Sequence, residues 1–226
     1  NVEIDWIDTT DITDENAAQA LAACDGIIVP GGFGVRGTAG KIACVKYARE
    51  HKLPYLGICL GFQMAVIEFA RNVCNLPEAD STEISPDCTD PVISILPEQK
   101  KIEGLGGNMR LGGQDVELTP GTLVAELFKG AKLIRQRFRH RFEVDPRYVE
   151  TLEKAGLIFS GKHPVHPIMQ VLELPRDVHP YFIAGQFHPE LTSRPLRPQP
   201  MFTGLVAAAL NRTPAKAPAP DQPAKV

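Results

Sequence analysis

Apolar and polar positions alternate in short blocks along the first part of the chain. Val2 to Ile7 switches between apolar and acidic residues with a period of two, which predicts a strand, and Thr13 stands where it can cap a helix from Asp14 to about Cys24. Gly26-Ile27-Ile28-Val29 reads as a short buried strand closed by Pro30 and a glycine loop. Ala39, Ile42, Ala43 and Tyr47 then recur at helical spacing, Pro54 opens another apolar run, and Met64 to Ile67 resumes the helical pattern. Strand, helix, strand, helix, strand with short links predicts an α/β fold: an open, mostly parallel twisted sheet flanked by helices.

The second half changes character. Val92 to Leu96, Phe138 to Val144, Leu157 to Ser160, Ile168 to Leu174 and Tyr181 to Phe187 read as strands. Only short helices are expected near Leu123 to Phe128 and Arg147 to Ala155, so antiparallel strand additions are expected in this half, before a last helix over 201–210. No internal repeat is visible. The reading is one domain over residues 1–211 and a Pro/Ala-rich tail over 212–226 with too few apolar residues to pack.

Composition narrows the classes. With 226 residues, 43% of them hydrophobic, the chain can bury a real core. No apolar run approaches the length of a membrane span and no leader pattern opens the chain, which predicts a cytoplasmic protein with no membrane partner. A net charge of −3 gives no global pull toward nucleic acid, and none is expected as a partner. The five cysteines are an odd number without CxxC spacing, which argues against a disulfide framework and a structural metal site. Cys24, Cys44, Cys74 and Cys88 read as small hydrophobes.

Cys59 is different. Gly57-Ile58-Cys59-Leu60-Gly61 has the spacing of a nucleophile elbow, with cysteine in place of serine, between a strand and a helix. Glycines allow the sharp turn, and a helix N-terminus favours the thiolate. A base is available in "QFHPE": in extended chain His188 and Glu190 point the same way, so the carboxylate can orient the imidazole. The other histidines weighed, His51, His163, His166 and His179, read as ordinary hydrogen-bonded residues. The glycines of "VPGGFGVRG" let main chain approach an oxyanion, with the amides of Gly32 and Leu60 as donors. The same stretch matches GxGxxG over Gly32–Gly37, but no acidic residue ends the following strand to hold a ribose, so the nucleotide reading ranks lower. No P-loop is present. In "RQRFRHRF" the alternation puts Arg135, Arg137, Arg139 and Arg141 on one face and Phe138 and Phe142 on the other, as a solvated face or as an anion-recognising or docking surface.

Taken together, "PGGFG", "GICLGFQ", "STE", "GGNMRLG", "RHRFEV" and "QFHPE" closely resemble the glutamine amidotransferase domain of the CTP synthase family, up to about Asn211. The elbow and the His-x-Glu pair are common to class I, triad-type glutaminases, and the other blocks are narrower. The resemblance implies a flavodoxin-like class I amidotransferase fold. It implies that Cys59 attacks the side-chain amide of L-glutamine to form a γ-glutamyl thioester, with His188 and Glu190 completing the triad and Gly32 and Leu60 forming the oxyanion hole. It also implies glutamine binding by Gly32, Leu60, Gly61, Phe62, Gln63, Glu83 and Arg141, with no metal and no cofactor in this domain.

The resemblance further implies that the ammonia passes to a synthetase domain of the same polypeptide, which aminates UTP with ATP and Mg2+ under activation by GTP, in a homo-tetramer. The chain is accordingly expected to be the glutaminase part of a longer polypeptide. Two departures stand out. The family's first strand and helix, ahead of "VEIDWID", are absent, which puts stability and activity in question, and Asn108 replaces the family's usual Thr. Alternative readings are a stand-alone γ-glutamyl or DJ-1/protease-like cysteine hydrolase, and a catalytically silent docking domain. The Glu after His188 and the "MRLG" and "RHRFEV" blocks speak against the first, and the presence of all three triad residues against the second.

Overall fold

The computed structural model describes residues 2–96 and 109–212; Asn108 and the tail from Thr213 lie outside them. A seven-stranded sheet in the order β1-β2-β10-β9-β8-β5-β6 forms the centre, and β3 (Ala79–Ser81), β4 (Asp90–Ser94) and β7 (Glu143–Val144) form a second, three-stranded sheet. The strands β1 (Ile27–Val29), β2 (Tyr55–Ile58) and β10 (Phe182–Gly185) are parallel, with Val29 level with Gly57 and Ile58 level with Gly185. Their carboxyl ends therefore finish side by side, which is where open α/β sheets assemble sites. β9 (Met169–Glu173), β8 (Ile158–Lys162), β5 (Arg110–Leu118) and β6 (Leu133–His140) continue the sheet in antiparallel pairs. The α/β class and the antiparallel additions thus follow the sequence pattern.

The helices fill in around this sheet. α2 (Thr38–Glu50) and α3 (Leu60–Asn72) pack against each other and against the parallel strands. From Leu60 to Ala70 every residue of α3 is buried, so it reads as a continuous apolar run with little amphipathic period. Each fully buried Met, Ile or Phe of such a helix contributes about 1.5–3 kcal/mol. α2 and α3 are joined where Arg49 grips the buried Glu68 carboxylate through Nε and a terminal nitrogen, at 2.8 to 3.1 Å. The later helices begin at polar caps: Thr122 for α4 (Leu123–Leu127), Asp145 for α5 (Pro146–Lys154) and Gln199 for α6 (Pro200–Leu210), each side chain accepting an N–H of the first turn.

Two expectations are corrected and two strands are added. Val2 to Ile7 forms no strand: it runs exposed, with Trp6 91% accessible, because alternation makes a strand only where a neighbour supplies hydrogen bonds, and among the described residues β1 pairs with β2 alone. The helix expected over Asp14–Cys24 shrinks to α1 (Ala17–Ala20). There Asn16 accepts from Thr13 N at 2.8 Å and donates to Asp11 O at 2.9 Å, so side-chain bonds hold the preceding residues in turns. Two strands were not foreseen, β3 (Ala79–Ser81) and the nine-residue β5. Gly112-Gly113 and polar neighbours hide β5's pattern, but full pairing with β6, from Arg110↔His140 to Glu117↔Leu133, secures it.

The sheet curls. Lys132 O accepts Leu118 N, so the even-numbered residues of β6 face β5 and the odd-numbered carbonyls point outward. One of these, Arg137 O, accepts His188 N at 2.8 Å. The seventh strand thus returns to the carboxyl ends of β2 and β10.

Candidate active site

Cys59 occupies the turn between β2 and α3 with φ 51° and ψ −95°, a backbone state that non-glycine residues adopt only at a cost of order 1–3 kcal/mol. Three contacts force it. Cys59 N donates to Gly185 O at 2.8 Å, Tyr55 Oη donates to Gly61 O at 2.8 Å, and the helix start is pressed so close to β1 that a Cβ on Gly61 would lie 2.1 Å from Val29 O. The elbow is therefore set by strands on both sides, and Cys59 is only 2% exposed.

His188 follows β10. Its Nδ1 lies 2.6 Å from Glu190 Oε1. The pairing expected from sequence is present, but on a different backbone: after Phe187 the chain enters a 3-10 turn, Pro189–Leu191, and the carboxylate folds back onto the ring. With Nδ1 engaged, Nε2 is buried and has no hydrogen-bond partner of its own. Cys59 and Glu190 together favour the imidazolium and raise His188 to about 10 against the opposing effect of burial. The Glu190 carboxyl is pushed up by burial but held below its usual range overall by His188.

The loop after β1 covers this pair. A Cβ on Gly31 would lie 2.9 Å from His188 Cε1 and 3.6 Å from Cys59 Cβ, and one on Gly32 would lie 3.2 Å from Leu60 Cδ2. Gly32 and Leu60, the expected oxyanion donors, are thus neighbours, and the first amides of α3 have no intrahelical acceptor. Glu83 accepts Gly34 N at 2.9 Å and tethers the same loop. Of the other expected glutamine contacts, Gly61 and Phe62 are buried, Phe62 in the core behind the elbow. Gln63 is buried too, its Nε2 donating to Phe142 O at 3.1 Å and to Gln186 Oε1 at 3.3 Å. Arg141 is exposed just beyond β6.

Sequence reasoning missed the contribution of β6. Beside Arg137 O on His188 N, the Cys59 thiol points at Arg139 O, 3.8 Å from Sγ. These are main-chain groups, so no side-chain pattern announces them. The alternation of "RQRFRHRF" did place Arg135, Arg137 and Arg139 on the exposed face and Phe138 inside. Gly31 was also passed over, although the double glycine of "PGGFG" was a signal for close backbone approach. The arrangement as a whole joins a strained thiol, a base oriented by a carboxylate, and amide donors, which is the equipment of nucleophilic acyl transfer.

The family model for glutamine amidotransferase class-I matches residues 1–208. The CTP synthase of Pyrococcus horikoshii is 54% identical over 209 residues, covering 92% of this chain and 38% of the relative. That of Staphylococcus saprophyticus is 48% identical over 216 residues, covering 96% of this chain and 40% of the relative. The chain thus spans about 40% of the length of these curated relatives. Among solved structures, the glutaminase domain of Trypanosoma brucei CTPS with bound acivicin matches with a TM-score of 0.86 at 36% identity, over 94% of this chain and 82% of that one.

Proposed function

The chain belongs to the class-I glutamine amidotransferases, as a glutaminase domain of the CTP synthase type, and from that premise we propose that it hydrolyses L-glutamine through Cys59, His188 and Glu190. The observation that carries the proposal is the pairing of His188 Nδ1 with Glu190 at 2.6 Å, which leaves a buried Nε2 free for the thiol at the strained elbow.

The Cys59 proton passes to His188 Nε2, which holds it as the imidazolium, and Sγ then attacks the carbonyl carbon of the glutamine side chain. Amides of Gly32 and Leu60 receive the oxyanion. The C–N bond then breaks, and His188 returns the proton to the leaving nitrogen, which departs as ammonia and leaves a γ-glutamyl thioester. Water, deprotonated by His188, opens the thioester to give glutamate and the free thiol. Glu190 keeps Nδ1–H oriented and balances the imidazolium throughout. In this reading Glu83 offers a carboxylate to the substrate ammonium, and Leu60 to Gln63 and Arg141 line the remainder of the glutamine site.

For the longer polypeptide the same reading assigns the ammonia to a synthetase domain that aminates UTP with ATP and Mg2+, activated by GTP, within a cytoplasmic homo-tetramer. Relatives more than twice as long, named CTP synthases, support it. The same reading assigns the Mg2+ to the synthetase part. No described helix is long and apolar enough to cross a membrane.

The test is ammonia release from L-glutamine beside a Cys59→Ala control, together with labelling of Cys59 by a glutamine-like chloroketone. Release and labelling that the substitution abolishes are expected. A wild-type thiol that resists the chloroketone, with or without a synthetase partner, would sink the proposal.

A further inference from the structure

Glu143 is fully buried, yet the chemistry above makes no use of it. Its Oε1 accepts from Arg110 Nε at 2.7 Å and lies 2.8 Å from His140 Nε2. Arg110 opens β5, His140 ends β6 directly opposite it, and Glu143 opens β7 (Glu143–Val144), so one carboxylate ties three strands at a single corner. Burial pushes this carboxyl up, but His140 and Arg110 outweigh burial and hold it below its ordinary range. A buried ion cluster is a weak source of net stability compared with apolar packing, so stability alone is a poor account of it.

What the corner borders is the nucleophile. Arg139, directly before His140, offers its carbonyl to Cys59 Sγ. Phe142, directly before Glu143, accepts Gln63 Nε2 from the first turns of α3. The stretch from Arg139 to Phe142, with Arg141 in its middle, is therefore strung between the thiol and the helix that follows it.

We infer that Glu143, clamped by Arg110 and His140, is a positioning residue of the glutaminase site, holding the main chain of residues 139–142 where bound glutamine meets it. The inference rests on the glutaminase reading. Removing the carboxylate charge leaves Arg110 and His140 facing each other without their shared anion, and the corner opens away from Cys59. The thiol keeps its own elbow, set by β1, β2 and β10, so what is lost is recognition of glutamine and not the reactivity of sulfur.

Two alkylating agents separate these effects in the full 226-residue chain: a glutamine-like chloroketone, which must be recognised, and iodoacetamide, which need not be. Glu143→Gln and His140→Leu are expected to slow chloroketone labelling of Cys59 by about tenfold or more while iodoacetamide labelling stays within about twofold. His140→Gln, which keeps a nitrogen donor toward Glu143, should recover most of the loss, and the turnover defect should fall on KM more than on kcat. Folded variants in which both rates fall together, or in which neither changes, would overturn the inference. If Glu143→Gln fails to fold, the two His140 variants decide by the same criterion. A wild-type Cys59 that neither reagent labels overturns the glutaminase reading and this inference with it, whereas wild-type labelling matched by Glu143→Gln overturns the inference alone.

Discussion

The two edges of the seven-stranded sheet meet opposite fates. At one edge β1 offers its outer hydrogen-bonding groups to no strand among the described residues, and Ile28, in its middle, is 45% exposed. At the other edge the outward carbonyls of β6 are in use, Arg137 O on His188 N and Arg139 O facing Cys59. An edge strand is ordinarily a liability that a protein covers or blunts. Here the curl of the sheet turns one edge into a wall of the candidate site, while β1 contributes only through its carboxyl end, its loop and the close approach of Val29 to Gly61.

The sharpest way to break this contrast is to loosen β6 from beneath. Phe138 is 2% exposed and meets Phe187 edge-on at 5.9 Å, just before His188. Phe138→Ala should cost about 3–5 kcal/mol in urea unfolding. It should also reduce labelling of Cys59 by the glutamine-like chloroketone under conditions where the variant is still folded.

A smaller effect is expected where the β1 loop touches the base. Gly31→Ala places a methyl 2.9 Å from His188 Cε1, so the ring or the loop must shift. Glutaminase turnover should fall by roughly 10- to 100-fold, with little change in the thermal midpoint.

His188, the proposed base, gives a pH signature. His188 binds its proton more tightly in the folded chain, at about 10 against 6.5 unfolded, with Cys59 the larger cause and Glu190 the next. The stabilisation is fully present below 6.5 and is lost as pH rises toward 10, because over that window the folded state holds more protons than the unfolded one. Glu190→Gln should flatten the decline in unfolding free energy between about pH 6.5 and 9.5. An unchanged slope would remove Glu190 from the ion pair. At the smallest end, Ile28→Lys on the open edge should alter stability by no more than about 0.5 kcal/mol and leave turnover unchanged. A large loss there would mean that the β1 edge is not free in solution.

The sequence made the parallel half legible because β1, β2 and β10 are short apolar runs ended by glycine or by chemistry-bearing residues. Cys59 was visible through its two glycines, and His188 through the Glu two positions on. Val2–Ile7 was misread because alternation describes side chains and says nothing of whether a partner strand is at hand. β5 was missed for the converse reason, since its register with β6 compensates for a glycine-rich pattern. The corner at Glu143 escaped notice because Glu beside Val in "RHRFEV" gives no sign of burial until Arg110 is brought across the hairpin. The β6 carbonyls could not be read at all, since every residue carries one.

The dihedral angles of Cys59 have a consequence for how this protein can change. Glycine is the residue that best tolerates φ 51° and ψ −95°, so Cys59→Gly should yield a chain that resists unfolding better than Cys59→Ala does. Selection for robustness alone would therefore be expected to favour glycine over alanine at the corner that carries the proposed nucleophile, and any laboratory lineage selected that way should be sequenced at this codon first.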